Sequence, residues 1–291
     1  MSADPARPLE LVVVVPVRDR ADSVRRAVES ILVQAPPEVG VVVVDDGSHI
    51  ALGAESFGDG RVSVVRTEGV GAASARNRGV LETEGVTWVT FLDSDDEAKP
   101  GWIDAMLNSH RNGSALFSCG AEYRWAHGEV VLVRPKALWP GAGSPRGLFL
   151  AGTFSVRRDL LTASGGYRDG LRHSENTDLG WRLTDELRRV DAAATWTDEY
   201  LVVVNAVRKR VPPAVLLESA GLILQDPPDA LLNNRSELAD LNAVAGVSAS
   251  RLGQRRVAVR LMWAAVRSQP TRVRGWARLV KAAIWRWSPS A

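Results

Sequence analysis

Residues 11–18 read Leu-Val-Val-Val-Val-Pro-Val-Arg, and residues 41–48 read Val-Val-Val-Val-Asp-Asp-Gly-Ser. β-Branched side chains fit a pleated surface, and apolar runs with little polar interruption belong to strands covered on both faces by helices, as in a parallel sheet. Leu11–Val15, Val41–Val44 and Val62–Val65 are three such runs, and Trp88–Leu92 is a fourth. Between the first two, Val24, Ala27, Val28, Ile31 and Leu32 recur at i, i+3, i+4, i+7 and i+8, one apolar stripe on a helix bounded by Asp22 and by Pro36 and Pro37. This alternation predicts an α/β fold with ligands gathered beyond the carboxyl ends of the strands. Those ends carry Pro16-Val17-Arg18-Asp19, Asp45-Asp46-Gly47-Ser48 and Asp93-Ser94-Asp95-Asp96, so acids accumulate along one edge.

Farther along, Trp102–Leu107 predicts a helix after Pro100, and Ala115–Trp125 with Glu129–Val133 predicts a hairpin around Ala126-His127-Gly128. Pro135–Gly147, with three prolines and three glycines, reads as a mobile loop; Gly152–Val156 reads as a strand, Arg158–Ser164 as a short helix and Asn176–Arg188 as a longer one. Beyond Pro212 and Pro213 the pattern is helical throughout, which divides the chain into residues 1–210 and a helical extension, residues 211–291. From Leu238 the spacing of Gly253, Ala258, Trp263, Ala265 and Pro270 resembles one helical hairpin of tetratricopeptide type. A single unit cannot bury its own apolar face, so it is expected to pack on the first domain or on another subunit.

The chain has 291 residues, 45% apolar and 24% charged, enough to bury a core without staples. One cysteine, Cys119, excludes an internal disulfide and a cysteine-based zinc site. No apolar run approaches the roughly 20 residues that span a bilayer, and Asp4 and Glu10 argue against a signal peptide. The expectation is a cytoplasmic protein. The net charge of +2 is uneven: residues 251–291 hold nine Arg and one Lys with no Asp or Glu, leaving −8 on the rest. In a last helix, Arg272–Trp287, the residues Val273, Trp276, Val280, Ile284 and Trp287 form an apolar stripe which Arg272, Arg274, Arg278, Lys281 and Arg286 mostly avoid. That helix either packs on the acidic first domain or lies on anionic lipid at the inner face of a membrane. The basic residues join no recognisable nucleic-acid-binding module, so no nucleic-acid partner is expected.

In Asp93-Ser94-Asp95 the i, i+2 spacing turns two carboxylates to one side of an extended backbone. Such a pair is costly without a cation between its members, and an oxygen-only site suits Mg²⁺ or Mn²⁺ shared with a substrate phosphate. The alternative is a solvated acidic turn ahead of the helix after Pro100. Gly69-Val70-Gly71-Ala72-Ala73-Ser74 approaches a dinucleotide fingerprint but lacks its last glycine and follows the third strand, which argues against NAD. Walker, nucleophile-elbow and His-Glu-x-x-His motifs are absent from the sequence.

Together Val14-Val15-Pro16-Val17-Arg18, Val44-Asp45-Asp46-Gly47-Ser48, Gly71–Asn77, Phe91–Asp96 and Gly165-Gly166-Tyr167 ahead of Glu175 resemble family 2 glycosyltransferases over about residues 9–205. The resemblance implies a GT-A fold, with a mixed, mainly parallel central sheet flanked by helices. It also implies a metal-dependent, inverting transfer from a nucleotide-sugar donor, a UDP-sugar first, to a hydroxyl of a glycan, lipid-linked sugar or small metabolite. By that likeness Pro16, Val17 and Arg18 line the donor site, Asp46 binds the nucleobase with Arg76 beside it, Asp93 contacts ribose and metal, and Asp95 is the principal metal ligand. The family usually places its catalytic Asp directly after a Glu; here Glu175 is followed by Asn176, an amide that cannot take a proton and is kept as a substrate-binding position. Glu175 is the first candidate base and Asp178 the second; the other readings are an acceptor needing little activation, or a subunit that binds without transferring. Oligomerisation is left open.

Overall fold

The computed structural model describes residues 9–141, 143–207 and 210–284. The chain divides into one unit formed by Met1–Asp169 with Glu175–Arg208 and another formed by Gly170–Ser174 with Lys209–Ala291.

The first unit opens with β1 (Leu11–Val17), α1 (Ala21–Leu32), β2 (Val39–Asp46), β3 (Val62–Thr67), α2 (Ala72–Leu81) and β4 (Trp88–Phe91). The four strands are parallel in the order β3-β2-β1-β4. Their near-uniform valine content has a simple outcome, because successive side chains point to opposite faces. Leu11, Val13, Val15, Val41 and Val43 enter one core layer with Val24, Val28 and Ile31 of α1, while Val12, Val14, Val42 and Val44 enter the other with Ala73 and Ala75 of α2. α2 lies so close to the sheet that a Cβ on Gly79 would stand 2.3 Å from a methyl of Val14, which explains a glycine inside a helix.

The chain continues through β5 (Glu97–Ala98), α3 (Trp102–Arg111), β6 (Leu116–Trp125), β7 (Val130–Val133), β8 (Lys136–Ala137), β9 (Arg146–Gly147), β10 (Phe154–Arg157), α4 (Arg158–Ala163), α5 (Glu175–Arg189) and β11 (Ala194–Ala206). The main sheet runs β3-β2-β1-β4-β10-β6-β11-β5, with β7 on β6. β10 is antiparallel to both neighbours, β11 is parallel to β6 and antiparallel to β5, and the predicted hairpin is β6 with β7. This is the mixed, mainly parallel α/β architecture expected. Two differences have local causes. The segment read as a loop at Pro135–Gly147 carries a two-stranded ribbon, β8 with β9, too short to leave a periodic signal. β11 was not anticipated because Asp198 and Glu199 interrupt its apolar residues, and its pairing with β6 is irregular there, with register shifts between Trp196 and Val202. Cys119 is buried in the core of this unit, where desolvation pushes its thiol up to about 12.

The second unit contains α6 (Pro213–Gln225), α7 (Asp229–Asn233), α8 (Arg235–Arg251), α9 (Arg255–Ser268) and α10 (Val273–Ile284). Ala249, Ala258, Met262 and Ala282 form its small core, with Leu217, Leu261 and Leu279 against them. The hairpin expected from Leu238 is α8 with α9, and Ala258 and Ala265 are buried as the pattern requires, whereas Trp263 is exposed. On α10 the anticipated stripe does not pack: Val273, Trp276 and Val280 are exposed, and Leu279 and Ala282 face inward. Trp285–Trp287 lie outside the described residues, as does the side chain of Ile284.

His110 supports the sheet from α3. Its ring stacks on Trp88 at 3.7 Å, Nδ1 lies 3.0 Å from the Ser114 carbonyl and Nε2 lies 2.7 Å from the Ser155 hydroxyl. A carbonyl only accepts, so Nδ1 carries the hydrogen and Nε2 accepts from Ser155, which defines a neutral imidazole. Burial lowers its pKa to about 4. Because this lies below the unfolded value of about 6.5, the contribution to stability is fully present above that pH and is lost as the pH falls toward about 4. The stability of the wild type relative to His110→Gln should therefore fall by on the order of 2–3 kcal/mol across that window in paired urea titrations.

Candidate active site

Four loops meet at the carboxyl edge of the parallel strands and enclose a cleft of about 410 Å³. Hydrogen bonds between loops fix its walls. After β1, Asp19 takes a left-handed backbone (φ 55°), its N–H donates to the Ser48 hydroxyl (2.9 Å), and its carboxylate accepts from the His49 N–H (2.8 Å). After β2 the two adjacent acids divide their tasks. Asp45 is fully buried and accepts from the Ser48 N–H (2.9 Å), the Leu52 N–H (3.2 Å) and Arg66. Burial alone would raise its pKa, and these bonds with the Arg66 charge outweigh it and hold the carboxyl below the usual range. Asp46 lines the cleft while accepting from the Thr67 hydroxyl (2.7 Å), the Val70 N–H (2.7 Å) and the Gly71 N–H (2.9 Å). It is a fixed acceptor with one lone-pair site to spare, on Oδ2, pinned to the loop that opens α2.

Arg76 of α2 sits at the centre. The residue is 2% exposed, and its guanidinium pairs with Asp93 at the end of β4, lies 3.7 Å from Glu175 at the start of α5, and stands over the Tyr167 ring at 5.1 Å. Burial opposes the charge, but Asp93, Tyr167 and Glu175 outweigh it and raise the pKa above the ordinary arginine value. Its Nε and Nη1 have no hydrogen-bond partner, so two buried donors stand at the cleft wall. Tyr167 is held in turn: its backbone exchanges hydrogen bonds with the Asn77 side chain (2.7 and 2.8 Å), and its hydroxyl donates to Asn176 Oδ1 at 3.0 Å. The preceding Gly166 adopts φ 63° with Asn77 Oδ1 only 2.7 Å from where a Cβ would stand, so a side chain is excluded there.

Asp93 and Asp95 both reach the cleft with about a third of each side chain exposed (35% and 34%). Each commits one oxygen to a guanidinium, Asp93 to Arg76 and Asp95 to Arg20, and keeps the other. Asp96 points away, accepting from the Asn205 N–H of β11 at 2.9 Å. Burial and the neighbouring Asp93 push Asp96 up to about 8. Among the described residues no three His, Cys, Asp or Glu side chains are arranged to hold a metal by themselves. Two carboxylates with one unengaged oxygen each fit a divalent cation that completes its shell with water and ligand phosphate.

The sequence-derived residues thus fall into two groups. Pro16, Val17, Arg18, Asp46, Arg76, Asp93, Asp95 and Glu175 line one cleft. Asn176 and Asp178 do not. Asn176 is engaged by Tyr167, so its effect on the cleft passes through the ring that supports Arg76. Asp178 is fully buried, with one oxygen 2.6 Å from Arg182 and the other 3.3 Å from Arg168. This removes it as a candidate base: a fully buried carboxylate clamped between two cations away from the cleft cannot reach an acceptor bound there. The i, i+4 spacing of Asp178 and Arg182 was the signal for that pairing. Arg20, one of many arginines in the sequence, also lines the cleft and pairs with Asp95.

Three comparisons bear on this geometry. The model for "Glycosyl transferase family 2" matches residues 12–173. The pre-mycofactocin glycosyltransferase of Mycobacterium tuberculosis is 25% identical over 190 residues, which span 60% of this chain and 39% of that protein. The succinoglycan biosynthesis protein ExoU of Rhizobium meliloti is 29% identical over 192 residues, 60% of this chain and 55% of that one. The chain therefore covers about two-fifths to just over half of these relatives. Among solved structures, S. aureus TarS 1–349 in complex with UDP superposes with a TM-score of 0.62 at 17% identity, over 94% of this chain and 89% of that chain, a likeness of fold.

The assignment of Asp178 has a direct check. Asp178→Asn should lower the stability measured by urea unfolding by about 3 kcal/mol, because it strands two partly buried guanidinium groups; an unchanged midpoint would contradict the clamp.

Proposed function

The chain belongs to glycosyl transferase family 2, and on that footing we propose that it moves a sugar from a UDP-sugar, with Mn²⁺ or Mg²⁺ held by Asp93 and Asp95, to a hydroxyl of an acceptor, inverting the anomeric carbon. The observation that carries this reading is the convergence of Asp46, Arg76, Asp93, Asp95 and Glu175 from four separate elements on one cleft. UDP is favoured as the nucleotide because the TarS neighbour was crystallised with it, and a glycan acceptor because ExoU is named for polysaccharide building. A lipid-linked sugar or small metabolite is the same hydroxyl chemistry.

The residues divide the work by position. Asp46, immobilised by its three donors, offers its remaining acceptor site, on Oδ2, to a nucleobase N–H. Arg18 and Arg20 stand at the mouth of the cleft, where guanidinium groups pair well with phosphate oxygens. A bound divalent ion at Asp93 and Asp95 would neutralise charge building on the departing diphosphate. Glu175 is the base. Its carboxylate takes the proton of the acceptor hydroxyl as that oxygen bonds to the anomeric carbon, and the bond to the diphosphate oxygen breaks with its electron pair leaving on the nucleotide. Arg76 holds Glu175 and Asp93 to a common centre and so keeps the base in register with the donor.

Release of nucleoside diphosphate from a panel of sugar nucleotides, with and without Mn²⁺, tests the proposal. Asp95→Ala should cut turnover by about 10²–10³ and abolish the metal dependence of nucleotide binding. Glu175→Gln should cut turnover by about 10²–10⁴ with nucleotide affinity unchanged; full activity in that variant would place the base elsewhere. Binding without turnover across the whole panel would mark the chain as a non-catalytic nucleotide-sugar-binding subunit.

A further inference from the structure

The second unit leaves a two-helix face uncovered, and its composition is unusual. On α9 the exposed residues Arg256, Arg260, Trp263 and Arg267 fall at i, i+4, i+7 and i+11, one outward stripe. On α10 a second stripe, Val273, Trp276 and Val280, is exposed by 80%, 43% and 51%. The indole of Trp276 meets that of Trp263 edge to face with centroids 6.2 Å apart, and its N–H donates to the Pro270 carbonyl at 2.9 Å. The two stripes therefore form one surface, an apolar ridge in which the Trp276 N–H is already satisfied, with arginines beside it.

The stretch of sequence that carries the ridge has charge of one sign. Residues 251–284 hold eight Arg and one Lys and no acid. Arg272 pairs with Asp240 of α8, whereas Arg256, Arg260, Arg267, Arg274 and Arg278 have no ion-pair partner among the described residues. Arg272, Arg274 and Arg278 also line a cavity of about 320 Å³, shared with Asp240 and Gln269, at the start of α10.

We propose that this face docks on an anionic lipid surface, with Trp263, Trp276, Val273 and Val280 entering the headgroup boundary and the arginines reaching lipid phosphates. Indole rings partition to that boundary, and apolar contact combined with basic charge is what holds a helix flat against anionic lipid. A second copy of the chain is the weaker occupant, since a two-fold contact would oppose the same unpaired arginines to one another. No helix among the described residues is long and apolar enough to cross a membrane, so the contact is one of surface.

Co-sedimentation of the full chain with phosphatidylcholine vesicles, with and without phosphatidylglycerol, provides the test. Binding should appear only with the anionic lipid, weaken with added salt, and fall at least about tenfold in Trp263→Ser/Trp276→Ser and in Arg260→Glu/Arg267→Glu. Both positions of the arginine variant are exposed, so its melting temperature should match the wild type. Equal binding to neutral and anionic vesicles, or none to either, overturns the proposal. Concentration-dependent self-association abolished by the tryptophan variant would assign the face to a second copy instead.

Discussion

A buried guanidinium is the constraint on which the site depends. Arg76 is removed from water inside an α-helix, an arrangement tolerable only because Asp93, Glu175 and the Tyr167 ring surround it. Those three neighbours come from the end of β4, the start of α5 and the turn before it, segments with no local reason to meet. The cation satisfies itself by drawing them together, and the cleft follows from that requirement as much as from the packing of the sheet. The hydroxyl of Tyr167 then needs an acceptor, which Asn176 provides. An amide at that position is intelligible as a brace for the ring.

The parallel half of the sheet does the coarser positioning. Alternation of side chains sends two sets of valines into two core layers, which leaves the strand ends as the place where charge can be tolerated. Asp45 and Asp46 show how finely this is divided. Adjacent on one strand, they face opposite ways, one consumed in holding its own loop and Arg66, the other turned to the cleft and braced from the β3–α2 loop.

How much of this could be read from the chain depends on the range of the interaction involved. The strands β1 and β2 and the helix α1 are local patterns, and their valine runs and 3.6-residue stripe announce them. β11 is not, because its acids and irregular register hide a strand whose pairing lies with β6, far away in sequence. Within the site, the acids at strand ends were legible as a cluster, whereas nothing in Ala73-Ser74-Ala75-Arg76-Asn77 marks the arginine as buried; the family resemblance drew attention to it. Asp178 reads as a possible base because a carboxylate open to a cleft and half of a buried ion pair look alike in sequence. The stripe on α10 was recognised, but its outward orientation depends on how Leu279 and Ala282 pack, and that is a tertiary fact.

The sealed position of the lone sulfhydryl has a consequence of its own. Cys119 lies in the core with its thiol held far from ionisation, and the sequence contains no second cysteine to which it could bond. Thiolate is the form that reacts with peroxides and mixed disulfides, so burial shields Cys119 from both. The scarcity of cysteine therefore says less about the surroundings than it first suggests: a lone, sealed thiol is as compatible with an oxidising milieu as with a glutathione-rich one.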